Sequence, residues 1–237
     1  APTFATDEEL EMMATIGGIS SATGNPIWGV DQELGAFHIL DRLAELAPND
    51  SARDQVEKLA KVAHKYESTR SGGTHYLAAL ANPDDFRDLS MLFEAGPGSE
   101  ALVLIEALQR TSRIYHNFSL SRQGQPTGYE NGREREESMK LRFMEQYRSA
   151  QAAGDTLPRV VAKLGHWHLY RGIYRANVPT FGNFLSEFAL SNDMSSFMLA
   201  TFVVESPEDW RNTKGPLANI SSQSPFTVVD FRPLRPL

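Results

Sequence analysis

The sequence predicts an α/β fold: a mainly parallel sheet flanked by helices, with a helical insertion or cap in the middle of the chain. Short β-branched runs alternate with helix-length amphipathic stretches, the pattern of βα units. One run, Arg159-Val160-Val161-Ala162, leads straight into Lys163-Leu164-Gly165-His166-Trp167-His168-Leu169-Tyr170-Arg171-Gly172. An apolar strand that ends at a glycine and delivers two histidines, a tyrosine and an arginine reads as the carboxyl end of a buried parallel strand, where open α/β sheets hold their ligands. Residues 1–237 are read as a single domain, with 34–118 as the mostly helical block.

The elements follow in order. Residues 7–16 read as a helix, with Thr6 as cap, Glu9 at the capping-box position and Leu10, Met13 and Ala14 on one face. Gly17-Gly18 is expected to end it. Asn25-Pro26 is a turn, and Ile27-Trp28-Gly29-Val30-Asp31 reads as a buried strand ending in a carboxylate. A helix over 34–47 turns Leu40, Leu43 and Ala44 inward and stops at Pro48-Asn49, and Ser51 is expected to cap a second helix to about residue 68. Ser71-Gly72-Gly73 is a loop; helices follow over 83–93 and, opened by Ser99, to residue 118. Residues 122–132 read as a loop and 133–153 as a long helix striped by Met139, Phe143 and Tyr147, with Leu141 and Met144 flanking. The Val160 strand, a short helix over 184–190, and strands over 196–204 and 227–231 complete the pattern.

Charge and composition narrow the function. Hydrophobic residues make up 41% and charged residues 22%, enough apolar material for a folded core. The net charge of −7 argues against a nucleic-acid partner, which needs a basic face to neutralise phosphates. There is no cysteine, so disulfides, thiol nucleophiles and cysteine-bound metals are excluded. No apolar run approaches the roughly 18 residues that span a bilayer. Absence of cysteine suits cytoplasm and periplasm alike; a periplasmic or secreted location is the favoured side of an open question.

The candidate catalytic residues are Asp31, Arg135 and His168, with His166 beside them and Glu187 as a further acid. In a parallel sheet, strand ends and the starts of the following helices share an edge, so Asp31, Arg135 and His168 can converge. A carboxylate orients an imidazole and raises its basicity, and an arginine stabilises an oxyanion. Each has a plainer reading. Asp31 can cap the following turn, Arg135 sits in the charge run Arg133-Glu134-Arg135-Glu136-Glu137 that usually faces solvent, and the histidines can simply bond to backbone. Glu187 lies among Phe181, Phe184 and Phe188, where burial would raise its pKa; otherwise it is an exposed helix residue. Trp28, Tyr170 and Arg171 are read as substrate contacts. His166 and His168 have a spacing that could serve a metal, with Asp31 or Glu187 as third ligand, but no helix-borne HExxH supports one and no metal is assigned. No GxSxG elbow and no phosphate loop is present.

Three segments together resemble the erythromycin esterase-like superfamily. Ile27-Trp28-Gly29-Val30-Asp31-Gln32-Glu33 is similar to its strand ending in Gly-x-Asp. Arg135-Glu136-Glu137-Ser138-Met139 is similar to its Arg-Asp/Glu-x-x-Met helix start, and residues 160–168 to its strand that ends in a histidine-bearing segment. Their order and spacing match from about Phe4 onward. The resemblance implies an α/β hydrolase that activates water with histidine without a required metal, and it carries over Asp31, Arg135 and His168 but not His166. The esterase branch often has a histidine where this chain has Gly165, which argues against macrolide lactones as substrates. The family's first strand carries a Gly-Glu-x-x-His segment that does not precede Asp31 here. The segment with that strand is then expected on a companion polypeptide, or to be cleaved off or disordered; a companion polypeptide is the partner this implies, besides a small-molecule substrate.

The function expected from these residues is hydrolysis of an ester, lactone or related bond, with no cofactor. Two alternatives stand beside it. One is a haem or other small-molecule binding protein, as in related haem-uptake lipoproteins, with His166, His168 and Tyr170 as axial ligands. The other is a non-catalytic, degenerate member that contributes to assembly.

Overall fold

A computed structural model describes residues 7–19, 26–69, 75–80, 82–94, 96–173 and 177–199. The chain divides into two compact units, Ala1–Ser196 and Phe197–Leu237. All the helices among the described residues lie in the first: α1 (Asp7–Ile19), α2 (Phe37–Leu46), α3 (Asp50–Thr69), α4 (Tyr76–Ala79), α5 (Pro83–Phe93), α6 (Glu100–Arg122), α7 (Gly128–Ala152), α8 (His166–Leu169) and α9 (Phe181–Ser191). Of the second unit, residues 197–199 are described and are neither helix nor strand.

The fold is helical, not the α/β sheet that the β-branched runs predict. Among the described residues the sole β pairing is one isolated antiparallel bridge, Ile173 with Pro179. Residues 27–30 and 158–165 are non-helical and join no ladder. β-Branched residues fit a pleated, half-buried surface, but their preference needs neighbours to pack against. Val161, expected inside a sheet, is 98% exposed. The strand expected over 196–204 is neither helix nor strand as far as residue 199; its remainder and the strand over 227–231 lie outside the described residues, as do Thr6 and Ser71-Gly72-Gly73.

The helical block expected as an insertion is instead the main body of the first unit. Helices α2 to α6 bury Leu40, Leu43, Val56, Leu77, Phe86, Leu89, Ile105 and Leu108 in one apolar core. Local signals set the starts of three of them. Asn82 accepts from the Asp84 amide and forms a capping box with Asp85, and Pro83 occupies the first turn of α5, where its missing N–H costs nothing. Ser99 accepts from the Leu102 amide at the start of α6. The cap of α3 is Asn49, which accepts from the Ala52 amide, two residues ahead of the expected Ser51.

Several boundaries move; α2 starts at Phe37 and α9 at Phe181, three residues after and three before their expected starts. Gly17 and Gly18 stay within α1, where a Cβ at either would meet nothing within 4 Å. Helix α6 runs on to Arg122, and α7 begins at Gly128, so the expected eleven-residue loop shrinks to the segment 123–127. Its polar residues form a tight connection: the Thr127 hydroxyl donates to the Asn117 carbonyl at 2.7 Å, and the Asn131 amide donates to the Ile114 carbonyl. These bonds hold α6 and α7 side by side.

A second, aromatic core lies between α7 and α9. Met139, Phe143, Tyr147 and Phe181 are buried there, with Trp28, Phe184 and Phe188 packed against them. Phe143 is its centre, edge-on to Trp28, Phe181, Phe184 and Phe188 at 5.5–5.9 Å. Leu141, by contrast, points outward.

Candidate active site

Helix α7 supplies the base of the site. Gly132, Glu136, Met139, Phe143 and Tyr147 form its buried stripe, with Glu136 at 1% exposure. A carboxylate so placed must have its lone pairs occupied by donors. Glu136 Oε1 lies 2.6 Å from His168 Nδ1, and the Phe181 N–H donates to Oε2 at 2.6 Å. Phe181 is the first residue of α9, so the carboxylate also meets the positive end of that helix.

His168 reaches Glu136 from α8, a single turn and not a strand end. The turn is pressed against α9 at Gly182: a Cβ there would fall on the backbone of Leu169. Only glycine permits this approach. The Thr180 hydroxyl donates to the Tyr170 carbonyl and accepts from the Asn183 amide at 3.0 Å, tying the end of α8 to the α9 cap. Lys140 Nζ donates to the Pro179 carbonyl at 2.7 Å, anchoring the same loop to α7.

Arg135, one residue before Glu136, turns to the 27–31 segment. Its Nε and Nη2 donate to the two carboxylate oxygens of Asp31 at 3.2 and 2.6 Å. Burial pushes the Asp31 carboxyl up, but the Arg135 hydrogen bonds and charge, the Gln32 amide and the nearby His168 ring outweigh it and hold the group below its usual value. Burial likewise pulls the guanidinium down, and Asp31 more than restores it, leaving Arg135 raised.

These groups border a cleft of about 250 Å³ between α6 and α7, lined by Ile114, Tyr115, Phe118, Asn131, Gly132, Arg135, Glu136 and His168. Burial pushes the Tyr115 phenol above its usual value; Asp31 adds to the rise, while Arg135 and Gln32 oppose it. Both polar atoms of the Gln32 side chain, next to Tyr115, are buried.

Asp31, Arg135 and His168, from three separate segments of sequence, thus meet at one place without any sheet among the described residues to carry them. The other candidates are elsewhere or do other work. The His166 ring packs on Trp167 and Tyr170 at 4.7 and 6.0 Å. Trp28 packs on Phe143 as part of the aromatic core. Arg171 Nη2 donates to the Ser196 carbonyl and hydroxyl at 3.0 and 2.8 Å, beside an open depression that it shares with Glu187. Glu187 is exposed and is not the buried acid expected among the phenylalanines; α9 turns its phenylalanines inward and the glutamate out. Among the described residues no group of three or more His, Asp or Glu side chains is arranged to hold a metal ion.

Glu136 was hidden by its neighbours. Within a run of five charged residues it looks solvated, and Arg133 and Glu137 are indeed exposed, bound to each other at 3.3 Å. The available signal is spacing: Glu136 stands three, seven and eleven residues before Met139, Phe143 and Tyr147, on their face of the helix. Tyr115 gave no signal, because its partners come from other elements.

Compared with protein-family models, curated proteins and solved structures, the chain matches none. No helix among the described residues is long and apolar enough to cross a membrane.

Proposed function

We propose that this chain carries a hydrolytic site for an ester, lactone or related carbonyl bond, of the erythromycin esterase-like type. The observation that carries the reading is the buried Glu136 carboxylate bound to His168 Nδ1, beside Arg135 on the same cleft. An acceptor on Nδ1 fixes the neutral ring with its proton there, so Nε2 is the basic nitrogen. In the reaction, His168 Nε2 takes a proton from water as the water oxygen bonds to the carbonyl carbon. The carbonyl π pair moves to oxygen, and the resulting alkoxide is stabilised by Arg135, whose Nη1 is not used by Asp31. The alkoxide then re-forms the carbonyl, the bond to the leaving oxygen breaks, and His168 returns the proton to that oxygen. The products are a carboxylic acid and an alcohol. Glu136 orients the ring and stabilises its protonated form; Asp31 positions Arg135.

The test is turnover of a panel of p-nitrophenyl esters and simple lactones by the purified chain and by His168→Gln, with circular dichroism as the folding control. General acid–base catalysis predicts a loss of about 100-fold or more in the variant at unchanged helicity. No turnover across the panel, or equal turnover in the variant, contradicts the reading.

A further inference from the structure

We propose, resting on the hydrolase reading, that the cleft selects an uncharged carbonyl compound with a compact aromatic or branched apolar group, which packs on Ile114 and Phe118 and accepts a hydrogen bond from the Tyr115 hydroxyl. The charge balance favours a neutral ligand. The charged or titratable groups on the cleft wall are Arg135, Glu136, His168 and Tyr115, and the charge of Arg135 is matched by the Asp31 carboxylate, to which it donates two hydrogen bonds. Glu136 is buried just behind His168, so a carboxylate entering the cleft would meet a negative charge and exchange its water for no uncompensated cation on the wall. Arg122 is drawn aside onto the ring of Phe118, 5.9 Å from its centroid, and does not line the cleft.

Shape and polarity point the same way. Ile114, Tyr115 and Phe118 occupy one face of α6, opposite the polar edge made by Arg135 and His168 from α7 and α8. An apolar wall facing a few convergent polar groups is the usual make-up of a small-molecule site. The volume of about 250 Å³ equals roughly eight waters, which suits a ligand of on the order of ten non-hydrogen atoms. Phe118 is 45% exposed, at the rim, where it can close over such a ligand. Tyr115 has its raised pKa and so remains a donor through the neutral pH range. Its phenol gives the bound carbonyl oxygen a second donor besides Arg135.

Two probes of equal size test this: phenylacetamide, uncharged, and phenylacetate, its carboxylate counterpart. Each is titrated into the full chain while the His168 ring resonances are followed by NMR. The amide is expected to bind at least about tenfold more tightly. Phe118→Ala and Tyr115→Phe are each expected to weaken amide binding by about tenfold, the size of one apolar contact or one neutral hydrogen bond. Phe118 is at the surface and Tyr115→Phe keeps the ring, so neither change empties a core. Equal or tighter binding of phenylacetate, or no perturbation by the amide, overturns the proposal. Ester turnover is scored separately: amide binding without any turnover upholds the ligand class and defeats the hydrolase reading, whereas turnover coupled to tighter phenylacetate binding does the reverse.

Discussion

In the α2–α6 block, Leu40, Leu43, Val56, Leu89, Ile105 and Leu108 close on one another; between α7 and α9, Met139, Phe143, Tyr147 and Phe181 close beside a carboxylate. Each region holds a glutamate bound to a histidine Nδ1 and to the first amide of a short or following helix. In the first, Glu67 takes His75 Nδ1 at 3.1 Å and the Tyr76 N–H at 2.8 Å, opening α4. In the second, Glu136 takes His168 Nδ1 and the Phe181 N–H, both at 2.6 Å, opening α9. The side chains of Glu67 and His75 are 12% and 15% exposed; those of Glu136 and His168 are 1% and 12%. The same local device therefore serves two ends. Nearer the surface it starts a helix. At depth, next to Arg135 and a cleft, it orients a ring for chemistry.

The largest expected effect separates the two pairs. Glu136→Ala leaves a buried amide and imidazole without their acceptor and should cost about 3 kcal/mol of stability, against about 1 kcal/mol for Glu67→Ala, whose carboxylate sits at 12% exposure, where water can take its place. Urea denaturation of both variants measures it, and equal costs would erase the distinction drawn here. Next comes Gly182→Ala, which sets a Cβ on the Leu169 backbone and should cost about 2 kcal/mol while shifting the His168 resonances. Gly29→Ala, where a Cβ meets nothing within 4 Å, is the control and should leave those resonances in place.

A smaller effect has the opposite sign. The Tyr147 hydroxyl is buried in the aromatic core with no hydrogen-bond partner among the described residues. Tyr147→Phe should therefore stabilise the chain by about 1 kcal/mol, seen as a higher thermal midpoint; a loss of similar size would reveal a partner for the hydroxyl. The smallest effect is a pH dependence. The folded Asp31 carboxyl is depressed below its unfolded value of about 3.9. Its contribution is thus complete above that value and is lost as pH falls through the lower folded value. The Asp31 and Arg135 side chains keep 31% and 28% of their exposure, so water screening limits this to about 1 kcal/mol or less. Asp31→Asn should therefore cost up to about 1 kcal/mol at neutrality and flatten the acid limb of stability against pH below about pH 4, where the wild-type chain loses the same contribution.

The two regions also differ in how far sequence reveals them. In the block from α2 to α6, apolar residues recur at helical spacing and caps stand where local chemistry wants them, as at Asn82-Pro83 and Ser99, so helix existence and most boundaries are legible. The site region is harder. Val160-Val161 and Ile27 have strand-like side chains, but pairing is a non-local property, and the segments around them are non-helical without any ladder. The sequence predicts that Asp31, Arg135 and His168 converge at a sheet edge, which the described residues lack; they meet because α7 presents Arg135 to one side and Glu136 to the other. Glu136 itself was readable only as a charge on the Met139–Phe143–Tyr147 stripe, and Gly182 only once α8 and α9 were known to touch.

The central claim is that Glu136 fixes the His168 ring with its proton on Nδ1 and its basic nitrogen at Nε2. Nitrogen-15 NMR of the imidazole, recorded above its titration for the wild-type chain and for Glu136→Gln, tests it most directly. The account predicts a single tautomer protonated at Nδ1 in the wild type and a loss of that bias in the variant. A ring protonated at Nε2, or a tautomer ratio untouched by Glu136→Gln, would contradict it.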